Sequence, residues 1–359
     1  MRDAIVRIIT ILKATGRTVV SFFSQLPWAD MRDAVVRIVT GIPTVARAFF
    51  SGLTWKKIRE GIARMDVAQR KRVFIIAGIS LVVIMGIFVR ALLTRPSYPI
   101  PRYIRYSYTA KNMTNRLVRE AHFWTYVPVK RTPTQKCVTI KASHPYKLIT
   151  DALGNQILSF TLKDIPPYGT EIISIEANLK LSDKPNHLSL KGKKRYLKAE
   201  EYCESDDPAI VQQAKQLRGK ETQKTAENCF RWVANHVQYT GYVENPRGAL
   251  YALEEKQGDC TEFMYLFVAL SRANKIPTRG IGGYVVTDNA ILRPTAYHNW
   301  AEFYDDGAWR IADPQRKIFM QNQSRYIAMH VIGDAPKNPI GKAYRFKYEG
   351  QGIKVRMNR

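Results

Sequence analysis

The chain has 359 residues, 45 % hydrophobic and 11 % aromatic, which excludes wholesale disorder and leaves room for two ordinary domains, or for a domain and an anchor. Its 56 Lys+Arg against 30 Asp+Glu give a net charge of +26, a balance that attracts anionic surfaces. No nucleic-acid fold signature accompanies that charge, so no nucleic acid is expected as a partner.

From the N-terminus, residues 1–10 (MRDAIVRIIT) return almost unchanged as residues 31–40 (MRDAVVRIVT). In each copy the apolar positions share one helical face; in the first, these are Met1, Ala4, Ile5, Ile8 and Leu12. Residues 1–72 are therefore expected to form basic amphipathic helices, suited either to an anionic membrane surface or to a partner-binding arm. Residues 73–89 (VFIIAGISLVVIMGIFV) carry no charge, and with Arg90 snorkelling the apolar stretch extends to residue 93. The expectation is a single transmembrane helix over 73–93. Lys56, Lys57, Arg59, Arg64, Arg70, Lys71 and Arg72 precede it, against Arg95, Arg102, Arg105 and Lys111 after it. That bias points to the cell (inner) membrane, with the N-terminus cytoplasmic and the C-terminal domain extracytoplasmic.

Residues 96–110 (PSYPIPRYIRYSYTA) read as an extended Pro/Tyr-rich linker. Alternating stretches follow at 121–127, 137–142, 156–162 and 171–181, separated by turn residues. They predict a β-sandwich domain over 100–200. Cys137, in one of these strands, reads as core.

Residues 201–359 read as an α+β domain. Asp207-Pro208 opens one helix, and 222–237 form another with Cys229 inward. Next comes Gly258-Asp259-Cys260-Thr261-Glu262 and an apolar helix. Asp259 can cap that helix and leave Cys260 in its first turn, where unpaired N–H groups and the helix dipole are expected to lower the thiol pKa. The stretches 296–304 (AYHNWAEFY) and 308–313 (AWRIAD) then read as a hairpin around Asp306-Gly307. If those two residues form the loop, position 300 pairs with 313. His298 and Asp313 then share a sheet face as diagonal neighbours, about 7 Å apart. A nucleophile at a helix start and a base with its orienting carboxylate are the parts of thiol catalysis. Further strands are expected near 344–348 and 353–357. The four cysteines show no C-x-x-C or zinc-ligand spacing, and a Cys203–Cys229 bridge stays open. That spacing gives no ground to expect a metal, and no phosphate loop with its lysine occurs, so no nucleotide is expected; no cofactor is expected.

GDCTEF, HNWAEFY and WRIADP, in this order, resemble the three core motifs of the transglutaminase-like superfamily, a papain-like thiol fold, in its bacterial membrane-anchored form. The resemblance implies a catalytic triad of Cys260 as nucleophile, His298 as base and Asp313 as orienter. Family members often place an oxyanion donor before the cysteine, which makes Gln238 and Tyr239 candidates. No calcium site is recognisable, unlike in animal transglutaminases. The activity implied is a thioester acyl-enzyme formed on a protein or peptide substrate, resolved by water in a peptidase or amidase. The alternatives are a transglutaminase that crosslinks amines and a non-catalytic scaffold.

Overall fold

The computed structural model describes residues 63–64, 66–69, 84–86 and 96–359, the last without 191, 243, 334–337 and 342–344. Two compact units divide the chain, Met1–Arg95 and Pro96–Arg359. The duplicated basic segment and most of the expected membrane span lie outside the described residues.

In the second unit, six strands come first: β1 (Ile100–Asn112), β2 (Val118–Val127), β3 (Gln135–Ala142), β4 (Lys147–Thr150), β5 (Gln156–Ile165) and β6 (Thr170–Leu181). Four helices follow: α1 (Pro208–Gln216), α2 (Thr222–His236), α3 (Gly248–Glu255) and α4 (Cys260–Ala273), with β7 (Gln238–Tyr239) and β8 (Gln257–Gly258) between them. The chain then forms β9 (Thr278–Val285), β10 (Ala290–Ile291), β11 (Tyr297–Asp305), β12 (Ala308–Asp313), β13 (Ile318–Phe319) and β14 (Tyr326–Ile332). It ends in β15 (Phe346–Glu349) and β16 (Ile353–Met357).

One sheet runs β10-β1-β6-β3, with β16 also paired to β1; a second runs β15-β2-β5-β4. Their inward side chains meet in one core. Ile104, Tyr106 and Tyr108 of β1 and Ile173, Ile175 and Leu179 of β6 pack with Phe123 of β2 and Phe160 of β5. This is the period-two burial that half-buried strands require. The supposed linker is thus corrected: residues 100–112 form the longest strand of the sandwich, paired with β6 along twelve positions. Burial of alternate residues from Ile104 to Ala110 is the physical reason. The turn chemistry of Pro99 and Pro101 hid it, because Pro101 sits at the strand's start, where proline is tolerated.

The third sheet, β13-β12-β11-β9-β14, carries α4 on one face. Ala301, Phe303 and Ala312 pack there on Phe263, Met264, Phe267 and Leu270 of α4, with Cys229 and Phe230 of α2 behind. Its other face holds Ile281, Trp300, Ile311 and Tyr326 against Val129. All four cysteines are unbridged.

The mixed α and β character is therefore observed, but the fold-class expectation needs correction in one respect. No helix among the described residues is long and apolar enough to cross a membrane. A crossing needs about 20 continuous apolar helical residues. Of the 73–93 stretch only residues 84–86 are described, a helical fragment. The transmembrane helix, and the inner-membrane location derived from it, are withdrawn.

Candidate active site

The site starts at the N-terminus of α4. Asp259 is extended at the cap, and its carboxylate accepts the Thr261 N–H at 2.7 Å. Glu262 reaches back to accept the Asp259 N–H at 2.9 Å, closing a capping box. Its second oxygen accepts the Arg247 N–H at 2.9 Å, tying the preceding loop to the same helix start. Gly258 is needed here, since a Cβ would meet that of Glu262 at 2.4 Å. This anchoring leaves Cys260 half-buried at the first helical position.

His298 and Asp313 come from the β11–β12 hairpin. Asp306 and Gly307 both have positive φ, 45° and 75°, as a two-residue type I′ loop demands. Asp305 pairs with Ala308, and the ladder runs to Ala301 opposite Ala312. The next positions along are Trp300 and Asp313, so His298 is diagonal to Asp313. His298 Nε2 donates to Asp313 Oδ2 at 2.7 Å, with both residues buried. Use of Nε2 in this bond leaves Nδ1 as the imidazole's acceptor.

Cys260 meets the hairpin through Asn299. The Asn299 backbone N–H faces the thiol and favours thiolate. The Asn299 side chain donates to Thr261 Oγ1 at 3.0 Å, which clips β11 to the first turn of α4. The residues that follow Cys260 and His298 thus hold each other. The expected fall in the thiol pKa is corrected: burial pushes it up to about 12, and the Asp259 carboxylate adds to the rise. Desolvation outweighs the N–H groups because an anion loses its hydration wherever protein covers it, whereas a helix start supplies only partial charge.

Asp313 accepts three hydrogen bonds, the one from His298 among them. Oδ2 also accepts the Tyr326 hydroxyl at 2.8 Å, and Oδ1 accepts the Arg316 N–H at 3.1 Å. Trp300, 1 % exposed, stacks beside His298 with ring centroids 6.4 Å apart and meets Tyr326 edge-on at 5.0 Å. Trp309 lies at the hairpin's turn end instead, packed on Tyr196 and under the Arg279 guanidinium. The oxyanion candidates lie in β7, where Gln238 pairs with Gln257 and Tyr239 with Gly258. That puts Tyr239 opposite the residue two before Cys260, and both side chains are exposed.

Sequence reading missed Glu262, Asn299 and Tyr326. The Asp-x-x-Glu spacing signals Glu262 as the second half of the capping box. Tyr326 and Asn299 carry no local signal, since their partners are distant in sequence.

Cys260 thus starts a helix clipped to the strand that carries His298, with Asp313 on the adjoining strand. Residues 209–314 match the model of the transglutaminase-like superfamily. No curated protein matches the chain. Among solved structures it is similar to a candidate cysteine protease from Cytophaga hutchinsonii, at 19 % identity over 72 % of this chain and 92 % of that one, TM-score 0.48. It is also similar to the periplasmic domain of TgpA from Pseudomonas aeruginosa, at 13 % identity over 57 % of this chain and 90 % of that one, TM-score 0.34.

Proposed function

We propose that the protein is a thiol enzyme in which Cys260 attacks a peptide or glutamine carboxamide carbonyl and water resolves the thioester, making it a peptidase or amidase. The observation that supports this reading best is the buried 2.7 Å bond from His298 to Asp313, with the Cys260 thiol facing the N–H of the residue after His298. The thiol starts protonated, so the thiol proton passes to His298 Nδ1 as sulfur bonds to carbon. Asp313 steadies the imidazolium, which then returns the proton to the leaving amine. A thioester remains on Cys260. Water attacks it with His298 again acting as base, and the acid product leaves. N–H groups at the α4 start, with Gln238 or Tyr239, are the candidate donors to the oxyanion.

The test incubates the protein with a peptide library and a labelled amine and follows it by mass spectrometry. Acylated Cys260 and shortened or deamidated peptides are expected, and Cys260→Ala abolishes both. Undiminished turnover by Cys260→Ala rejects the scheme, and amine incorporation that outpaces hydrolysis assigns the reaction to crosslinking.

A further inference from the structure

Tyr326 reaches the site from outside the hairpin that builds it. It begins β14, which pairs with β9 on the side away from β11, so two strands separate it from β12. Tyr326 pairs with Val285, and His298 pairs with Gly283. Tyr326, Gly283, His298 and Trp300 therefore share one sheet face. Gly283 carries no side chain in the path between them. A Cβ there would sit 2.8 Å from Trp300 Cη2 and 2.0 Å from the Ile327 carbonyl oxygen. Across that gap the Tyr326 ring lies edge-on to Trp300, and its hydroxyl arrives at the Asp313 oxygen already taken by His298. Tyr326 is 4 % exposed and Asp313, which accepts its bond, 0 %, so the bond lies in the protein interior.

We propose that Tyr326 is a positioning residue of the thiol chemistry: its hydroxyl shares Asp313 Oδ2 with His298, fixes the carboxylate's direction and weakens its hold on a protonated imidazole. A carboxylate that accepts an added strong donor is a poorer partner for a neighbouring cation. The phenol remains a donor throughout the working range, since burial and the Asp313 charge both raise its pKa. The charged groups facing this cluster are Asp313 of β12, Arg316 just after it and Arg325 beside Tyr326. His298 of β11 completes it, with Asp259 at the α4 start acting on Cys260. Through this chain Tyr326 restrains transfer of the Cys260 proton to His298 before substrate binds. The inference rests on the assignment of Cys260, His298 and Asp313 proposed above.

The test is the rate of Cys260 carboxamidomethylation by iodoacetamide from pH 5.5 to 9.5, read by mass spectrometry on the full chain. In Tyr326→Phe the undiluted carboxylate stabilises imidazolium, so the thiolate–imidazolium pair becomes more populated. Alkylation at pH 6–7 is expected to rise by about threefold or more, converging on wild type at high pH. The gain is expected to vanish in an Asp313→Asn background, which a merely structural role does not require. Tyr326→3-fluorotyrosine, whose more acidic phenol donates more strongly in an almost unchanged shape, is expected to slow alkylation at pH 6–7 by about twofold. It also serves if the phenylalanine variant does not fold. A variant-to-wild-type ratio that is constant across pH overturns the role of Tyr326 and leaves the triad standing. A wild-type profile with the single rising limb of a free thiol removes the thiol–imidazole pair and this proposal with it.

Discussion

Replacement of Gly283 by alanine tests how tightly the site is braced. The added Cβ meets the Ile327 carbonyl oxygen at 2.0 Å and Trp300 Cη2 at 2.8 Å. An ordinary contact needs about 3.4 Å, so the β14 backbone must retreat by roughly 1.4 Å or Trp300 must turn aside. The carbonyl belongs to backbone and cannot swing away like the end of a flexible side chain. Overpacking of this kind costs about 3 kcal/mol. For a unit of this size that lowers Tm by roughly 6–12 °C. Displaced Trp300 also presses on His298 and Tyr326, its two ring neighbours. A misplacement on the order of 1 Å at His298, the proposed base, is expected to cost roughly 100-fold in turnover. Circular dichroism melting and the acylation rate of Cys260 report the two effects separately. Gly333→Ala is the control, because its Cβ meets only side-chain ends at 3.3 and 3.4 Å. A Gly283→Ala protein that melts within 2 °C of wild type (roughly half a kcal/mol) and acylates normally refutes the close packing described here.

Three other outcomes follow from the same geometry. Asp259→Asn retains a side-chain acceptor for the helix cap but removes the charge that raises the Cys260 pKa, so the alkylation profile is expected to shift to lower pH with little loss of stability. Asp259→Ala shifts it the same way and costs about 1 kcal/mol of stability, measured by urea denaturation. His330 is stacked on Tyr126, hydrogen-bonded to Tyr297, and held neutral by burial that lowers its pKa to about 4. The unfolded chain binds this proton below about pH 6.5 and the folded one only near 4, so stability is full above 6.5 and falls as pH drops between the two values. The fall amounts to about 3 kcal/mol at most, and His330→Gln is expected to flatten that part of the stability–pH curve. Arg279→Ala leaves the buried Glu302 carboxylate without its 2.6 Å partner and is expected to lower stability by about 3–5 kcal/mol in the same denaturation assay.

Local chemistry made much of the site legible. The two-residue Asp306-Gly307 loop sets which residues of β11 and β12 face each other, so the diagonal relation of His298 and Asp313 follows from counting. Asp259 before an apolar helix likewise marks where Cys260 falls. Strands of the sandwich show through their alternation, except β1, where prolines at its start and a run of tyrosines resemble a linker until the burial of alternate side chains is seen. A hydropathic run such as 73–89 is a weaker guide, because composition alone does not establish a continuous helix of crossing length.

What the sequence determined by itself were the properties set within a few residues: the helix cap, the tight turn, the strand period and the order of the three motifs. Contacts between distant segments decided the rest. Whether Cys260 rests as thiol or thiolate depends on how much protein surrounds it, and that depth is a sum over the whole fold. The bond from Tyr326 to Asp313 depends on β14 lying beside β9 with a bare glycine in between. Neither follows from neighbouring residues, because desolvation and cross-sheet reach are set only once strands far apart in the chain have come together.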